Sequence, residues 1–479
     1  MGLQERILLK ITISLISLHF FLLLPLISLQ VIPRKLHLQL QEFDRNIRHN
    51  PLILLGARGS GKTTAVQSLI KTSGAVRYLN LEQAADRALF NLNFPVADQL
   101  ENLFFMNNES GESRNTLVIL DEIQLLPEYS RHLSRLFQNA PNIRWIMTSS
   151  CQSTEMDHLI SHPEFPVESM QVFPFSFHEF LMAIRDADAL ESYQEVPFPG
   201  YRHEKLLHYF HIYTLIGGMP AIIHQYAETG SISGLRSIYE EILSNLLQDI
   251  DLMKVVPNRK RMIRFVLQNI FPYAATRIKF NAFCNSPYKS REIGEVFRLL
   301  EARMILRLIY PDTSPAPPSD PDKKKLPRLQ LLDTGMVNYF SGIQKTLLHS
   351  EDMNLIFHGQ IARQVVGQEL LATETKHAHD LRFWVRNKAQ SGAEVDFLLP
   401  YQDFFIPVEV RSGEPGRLRS LHQFMDAAPH PFAVQLTAGK LSIRQTRSLK
   451  GTKFYLLCLP YFLAGKIKEH LEGFIKFIS

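Results

Sequence analysis

The chain has 479 residues, of which 45% are hydrophobic and 21% charged. These are ordinary proportions for a globular chain of about three domains, and they exclude a disordered, collagen-like or coiled-coil molecule. Lys and Arg number 52 against 47 Asp and Glu, a balance of +5 that neither demands nor forbids a nucleic-acid partner. The three cysteines, Cys151, Cys284 and Cys458, lie far apart, which excludes a disulfide scaffold and fits a reducing, cytoplasmic setting.

From Ile11 to Pro33 there is no Lys, Arg, Asp or Glu, and such a run is long enough to cross a bilayer. Three readings stand side by side. Residues 11–32 form a membrane anchor, or a signal peptide that lacks a small-residue cleavage site, or a non-essential extension. If the segment spans, Arg34, Lys35, Arg45 and Arg48 keep the following domain inside the cell. Residues 36–50 then read as an amphipathic lead-in helix. Pro51–Leu55 is a short, wholly apolar run that stops at Gly56, the pattern of a strand buried on both faces. Further strands are expected at Val76–Leu81, Thr116–Leu120 and Ile143–Met147, with helices at Thr63–Lys71 and Arg131–Asn139. Strands alternating with helices predict an α/β fold with a parallel sheet. Residues 201–270 read as mostly helical, broken at Gly217-Gly218-Met219-Pro220. Residues 262–310 have the order of a winged helix-turn-helix. Asp312–Pro327 is proline-rich and charged, an expected exposed linker. Strands follow at Arg382–Arg386, Ala393–Leu399 and Phe405–Val410.

Gly56-Ala57-Arg58-Gly59-Ser60-Gly61-Lys62-Thr63, followed by Thr64, matches G-x-x-x-x-G-K-[ST] in full. Its glycines let backbone N–H groups turn toward phosphates, and the next helix aims its positive end at the same anion. Lys62 supplies a charge at the β/γ bridge, and the Thr63 hydroxyl can ligate Mg2+. Thr116–Glu122 delivers Asp121 and Glu122 at the end of a buried strand. Asp121 would hold Mg2+ through water, and Glu122 would deprotonate the attacking water. No N-K-x-D is present, which disfavours guanine and leaves ATP with Mg2+ as the expected cofactors. Thr148, Ser149 and Ser150 end the next strand, with Ser149 the candidate sensor of the γ-phosphate.

The chain resembles a prokaryotic family of AAA-type P-loop ATPases that carry an uncharacterised, nuclease-like C-terminal domain. The resemblance rests on Ile32-Pro33-Arg34-Lys35, the phosphate loop, Tyr78–Glu82, Leu117–Pro127, Phe173–Phe180, Gly217–Pro220, Leu329–Met336, Ala393–Leu399 and Ile406–Gly413. It implies a P-loop core over 36–185 after the extension 1–35. A helical lid would span 186–260, a winged helix 261–311, the linker 312–327 and a nuclease-like domain 328–479. The family's Gly-Arg pair before the Phe173–Phe180 segment is missing, because Glu164–Met170 contains no Arg. Arg131, Arg135 and Arg144 are the substitutes in this chain; an arginine from a second copy would make the protein a homo-oligomer.

In the C-terminal part, Asp396 and Glu409 lie on successive strands with Arg411 two residues after Glu409. This is the layout of PD-(D/E)-x-K nucleases with Arg in place of the final Lys, and Glu369 on the preceding helix would complete a carboxylate cluster. Arg cannot easily give up a proton, so a structural or nucleic-acid-docking relic of that fold is favoured over an active Mg2+ nuclease. On the expected recognition helix Arg291–Ala302, Arg291, Arg298 and nearby Lys289 are diluted by Glu292, Glu295 and Glu301. That balance favours an intramolecular or protein contact over DNA, and the partners carried forward are an unidentified protein client and, second, DNA.

Overall fold

The computed structural model describes residues 32–45, 50–90, 94–105, 116–253, 255–348, 359–373, 381–387, 392–411 and 418–478. Residues 11–31 of the apolar segment lie outside these. Among the described residues no helix is long and apolar enough to cross a membrane.

The N-terminal half is built on five parallel strands: β1 Leu52–Leu55, β2 Val76–Asn80, β3 Leu117–Asp121, β4 Arg144–Ser149 and β5 Glu168–Gln171. Their order is β2-β3-β4-β1-β5. All four side chains of β1 are buried, and alternation sends them to opposite faces. Leu52 and Leu54 pack with Leu36, Leu40, Phe43, Val66 and Leu69, from helices Lys35–Arg45 and Lys62–Ile70. Ile53 and Leu55 meet Leu133 and Leu136 of helix Tyr129–Asn139. Helices on both faces explain why the central strands carry no polar alternation. The expected doubly covered parallel core is therefore present.

β5 was not foreseen. Its sequence is Glu-Ser-Met-Gln with only Met170 buried, too polar for a search based on apolar runs. Backbone pairing places it, from Leu52↔Glu168 to Leu55↔Gln171, at the sheet edge where one side faces outward.

Beyond the sheet, helices His203–Ile216, Pro220–Thr229, Arg236–Leu252 and Pro257–Asn269 follow one another. Helix Ser290–Ala302 leads into β6 Leu306–Ile309, and after β7 Pro311–Asp312 comes β8 Arg328–Leu331. β6 and β8 are antiparallel, and Arg277 bridges to Arg328 on the other side of β8. The C-terminal sheet comprises β9 Arg382–Val385, β10 Glu394–Tyr401, β11 Phe404–Val410, β12 Phe432–Thr437, β13 Ser442–Arg447 and β14 Lys453–Pro460. Its order is β13-β14-β12-β11-β10-β9-β7.

Two features bear on the expected organisation. The proline-rich stretch 312–327 is not simply an exposed linker. Pro311–Asp312 adds a strand beside β9, and the fully buried Asp312 accepts from Ser319 and pairs with Arg382 at 3.4 Å. The three units expected after residue 186 also pack on one another, while the C-terminal sheet keeps a cluster of its own around Trp384, Phe424 and Leu456. One apolar cluster runs from Phe175 through Phe210, Val266, Phe297 and Val365 to Phe474. Apolar faces of the helices and the second sheet are buried against each other, so these regions share one interior.

The tightest crossing in that interior joins helix His203–Ile216 to helix Thr334–Phe340. A Cβ on Gly335 would stand 2.0 Å from the Ile216 carbonyl oxygen, a clash with backbone that no rotamer change relieves. Gly335→Ala is expected to cost about 3 kcal/mol or more. Gly473→Ala, on an exposed helical position with open space around it, should stabilise by up to about 1 kcal/mol. Urea unfolding of the two variants checks the opposite signs.

Candidate functional site

The phosphate loop leaves β1 at Gly56, which has no room for a side chain because its Cβ would lie 2.3 Å from the Val172 carbonyl oxygen. Gly59 and Gly61 have φ of +80° and +94°, conformations that favour glycine. Gly61 caps helix Lys62–Ile70 without a side-chain bond, so the first-turn N–H groups remain for an anion. The cavity they face has a volume of about 500 Å³. Arg58, Gly59, Gly61, Lys62, Thr63 and Thr64 line it together with Asp121 and Glu122. Gly56 and Ala57 instead offer their carbonyls to the Lys62 ammonium at 2.9 and 3.2 Å. Ser60 is fully buried; its carbonyl is used by Arg34, and its Oγ has no partner.

Lys62 and Glu122 stand 3.6 Å apart and are both buried. Burial pulls Lys62 down, while Glu122 and Asp121 pull it up. For Glu122 burial pushes upward, but Lys62 and hydrogen bonds from Ser150 and Gln124 outweigh it and hold the carboxyl below its usual range. Glu122 is thus an anion at neutral pH, as a base must be. Its backbone sits at φ 63°, a left-handed conformation uncommon outside glycine. The Glu122 N–H donates to Thr148 Oγ1 at 2.9 Å, and Oε2 accepts from the Ser150 hydroxyl at 2.6 Å. Asp121 accepts from Thr148 and from the Tyr78 hydroxyl at 2.8 Å. These donors fix the carboxylate orientation. A Thr hydroxyl and a carboxylate are hard oxygen donors suited to Mg2+, and Thr63 and Asp121 both line the cavity.

Ser149, the expected sensor, does not touch either acid. Its hydroxyl bonds Gln124 at 2.8 Å, and Gln124 in turn bonds Glu122 and Ser150. Thr148 and Ser150, the neighbours of Ser149, make the direct contacts because β4 continues through Ser149 and turns there. Gln124 was overlooked, although a polar residue two positions after Glu122 was visible in the sequence. None of Arg131, Arg135 and Arg144 lines the cavity; Arg131 pairs with Glu128, and Arg144 with Asp44 at 2.6 Å. The arginines that do are Arg34 and Arg58. Arg58 reaches across to Asp249 of the Arg236–Leu252 helix at 2.7 Å.

Arg34 is buried where the lead-in helix begins. Its guanidinium forms a two-pronged pair with Glu179 at 3.0 and 3.1 Å, donates to the Ser60 and Phe173 carbonyls at 2.8 Å, and lies 4.4 Å over Phe175. Planar, always charged Arg suits this bidentate and stacked position. Ser176 and Glu179 form a reciprocal capping box on helix Phe177–Ala183, which sets Glu179 in place. Opposite the loop, Met219 and Pro220 approach Gly59 and Gly61 within 3.3 and 3.5 Å of where side chains would begin. Gly218 donates to Asp333 at 2.6 Å. Burial pushes Asp333 up to about 6, against backbone N–H groups of Met336, Gly218, Gly335 and Met219.

The C-terminal candidates do not come together as one cluster. Asp396 and Glu409 face each other across β10 and β11, one step before the Phe397↔Val408 pair. Arg363 and Arg328 lie 3.6 and 4.0 Å from Asp396, and Arg411 pairs with Glu409 at 2.8 Å. Burial raises both carboxyls, Glu409 to about 8 with Asp396 adding to the rise. Three guanidinium groups around two carboxylates oppose a dication there. Among the described residues no group of three or more His, Cys, Asp and Glu is arranged to hold a metal. Glu369 does not complete the pair. Its Oε1 accepts from the Phe177 N–H at 2.9 Å and the Tyr213 hydroxyl at 2.7 Å, so it serves the seam between the two halves.

A five-stranded parallel sheet, a glycine loop holding a buried lysine, and an acid pair at the end of the neighbouring strand define a P-loop ATPase core. Residues 48–181 match the family model described as an AAA domain, so this part of the chain is an AAA-type, ATP-binding domain. Residues 207–347 and 358–457 match two families described as domains of unknown function (DUF8612 and DUF4143). Similar solved structures include the Walker-type ATPase PABY2304 of Pyrococcus abyssi, with 14% identity over 65% of this chain and 96% of that one, at a TM-score of 0.39. Another is the Aeropyrum pernix ORC2 protein in ADPNP-ADP complexes, with 13% identity over 66% of this chain and 93% of that one, at a TM-score of 0.25. No curated protein matches the chain.

Glu369 carries a pH signature. Burial raises its carboxyl from the ordinary 4.5 to about 7, so the folded chain keeps a proton that the unfolded chain releases first. Its contribution to stability is full below about 4.5 and is lost as pH rises through about 7. Glu369→Gln should therefore gain stability relative to wild type between those limits, by about 2–3 kcal/mol at most. Urea midpoints of both proteins across pH 4.5 to 8 check this; a constant difference would refute it.

Proposed function

We propose that the protein is a Mg2+-dependent ATPase whose nucleotide state is transmitted to the helices and sheet that follow the P-loop core. The carrying observation is the buried Lys62–Glu122 pair at the floor of a 500 Å³ cavity bounded by the glycine loop. Lys62 and the loop amides would hold the phosphates, while Thr63 and Asp121 would hold the metal. The metal, when bound, supplies Lewis acidity at the phosphates. Glu122 is held as an anion and would take the proton of the attacking water. Thr148 and Ser150 orient the two acids, and Gln124 links Glu122 to Ser149. The Lys62 charge that now stabilises Glu122 would be shared with incoming phosphate, which frees Glu122 to act as a base.

Transmission is supported by three contacts from the cavity wall. Arg58 reaches Asp249 on the lid helix, Arg34 joins the loop to Glu179, and Met219–Pro220 connects it to Asp333. The Pro257–Ile309 region with β8 has the helix and strand order of a winged helix. We read it as an intramolecular contact module, since Gln152 N–H bonds the Ala302 carbonyl at 2.7 Å and Glu295 is taken up by Arg259 at 2.6 Å. The sheet order around β10 and β11 supports a nuclease-like fold for the C-terminal part. The arginine-crowded Asp396–Glu409 pair supports a structural role over Mg2+-dependent cleavage.

Lys62→Ala should abolish the heat of ATP binding in calorimetry. Glu122→Gln should retain binding in Mg2+ and lower single-turnover hydrolysis by roughly 10²- to 10³-fold. A Glu122→Gln protein that hydrolyses at the wild-type rate would overturn the assignment of the base. Asp396→Ala should leave both ATP binding and hydrolysis unchanged, and wild-type protein should cleave neither DNA nor RNA in Mg2+.

A further inference from the structure

A second cavity, of about 470 Å³, lies at the seam where β5 and its following turn meet the C-terminal sheet. It is nearly as large as the nucleotide cavity, and the reading of the P-loop makes no use of it. Most of its wall is apolar: Val172, Phe173, Leu370, Leu381, Leu398 and Ile467. Polar groups gather at one end. Glu369 is fully buried, and while Oε1 takes two hydrogen bonds, Oε2 has no partner. Gly465 brings its backbone close to that oxygen, with no room for a side chain. A Cβ there would lie 2.9 Å from Glu369 Oε2 and 3.1 Å from the Tyr193 hydroxyl. The Lys466 ammonium sits 5.9 Å from the centre of the Tyr193 ring and spends one N–H on the Gln194 carbonyl at 2.9 Å.

These groups are donors. Lys466 has further N–H groups after its bond to Gln194, since an ammonium carries three. The Tyr193 hydroxyl is a donor, and burial holds it in its neutral form, well above the ordinary phenol range. Burial raises Glu369 to about 7, so near neutrality much of it is protonated and able to donate through the oxygen that lacks a partner. Lys35 and Lys468 at the lining add positive charge, with Glu469 opposed to them. Arg34 and Glu179, also at the wall, neutralise one another. An uncompensated buried carboxyl is costly unless something bonds it.

We propose that this cavity binds a small amphiphilic anion, with a carboxylate or phosphate head at Lys466, Tyr193 and Glu369 and an apolar body against Leu370, Leu398 and Ile467. The site is independent of the ATPase assignment, because none of these six residues lines the nucleotide cavity.

The full chain, saturated with ATP, is titrated calorimetrically with decanoate, decyl phosphate, decyltrimethylammonium and inorganic phosphate. Decanoate or decyl phosphate should bind once per chain, and whichever binds more tightly identifies the head group. The cationic amphiphile and inorganic phosphate should bind at least about ten-fold more weakly, as expected when one charge-assisted contact or the apolar body is missing. Lys466→Met should weaken the anionic amphiphile about ten-fold. Gly465→Leu, whose side chain would crowd Glu369 and Tyr193 at the head-group end, should abolish its binding with ATP affinity unchanged. Lys466→Met carries the test alone if Gly465→Leu does not fold. The proposal is overturned if neither anionic amphiphile binds, if the cationic one binds equally, if ATP displaces the probe, or if Lys466→Met binds the anionic amphiphile as tightly as wild type.

Discussion

The turn Gly217-Gly218-Met219-Pro220 has to pass between the backbones of Phe175 and Gly335 and the Asp333 carboxylate, and the arrangement of both halves follows from it. At φ +76°, Gly217 would place a Cβ 2.3 Å from Asp333 Oδ1. A Cβ on Gly218 would lie 2.2 Å from the Phe175 carbonyl oxygen. The Phe175 N–H donates to the Gly218 carbonyl at 2.7 Å, and the end of helix His203–Ile216 is met by Asn338 Nδ2 on the Thr214 carbonyl and by the Tyr239 hydroxyl on the Ile216 carbonyl. The last carbonyls of that helix would otherwise be buried without partners. Only glycine allows this closeness, and closeness is what lets Met219 and Pro220 reach the phosphate loop.

The charge distribution is asymmetric in a way that separates work from support. Around the P-loop, opposite charges are paired at short range, and Glu122 and Glu179 remain ionised although buried. Each has a cation beside it and hydrogen bonds that outweigh desolvation. Asp333 and Glu369 are equally buried but have only N–H and hydroxyl donors. Their carboxyls are pushed up to about 6 and about 7. Among these four acids, the two with a cation beside them hold their charge, whereas the two with neutral donors approach the protonated state. Of the first kind, Glu122 lines the nucleotide cavity and Glu179 anchors Arg34 beside it, while the second kind holds the seams.

Much of the N-terminal core was legible because its signals are local. A run of four apolar residues ending in glycine, and an apolar strand ending in two acids, specify buried strands and a phosphate site without any knowledge of packing. β5 was hidden because its residues are polar and its position depends on pairing with β1. Ser149 was chosen over its neighbours because strand-end position can be read from sequence, whereas the direction of a hydroxyl depends on where β4 turns. Glu369 was grouped with Asp396 and Glu409 by proximity in fold order. Helix Gly359–Ala372 instead turns it toward Phe177 and Tyr213, a choice made by packing between regions distant in sequence. Arg34 was noticed as an opening motif, but its role needed the Ser60 carbonyl and the Glu179 carboxylate, 26 and 145 residues away.

Arg411, two residues after Glu409, gains meaning from its surroundings. A lysine two residues after Glu409 would present a compact ammonium on the same face of β11, able to give up a proton when desolvated. Arg411 keeps its charge, and Arg328 and Arg363 add two more on the Asp396 side. Arg328 is 2% exposed, stacks 4.2 Å over Phe383 and also bonds the Asp396 carbonyl and Glu394. It is held by β8, whose neighbour β6 follows directly from helix Ser290–Ala302. The same arginine therefore ties the acid pair of the C-terminal sheet to the helical region before it. The two carboxylates are closed against guanidinium groups on both sides. The effect is to fix how the final sheet sits on the rest of the chain.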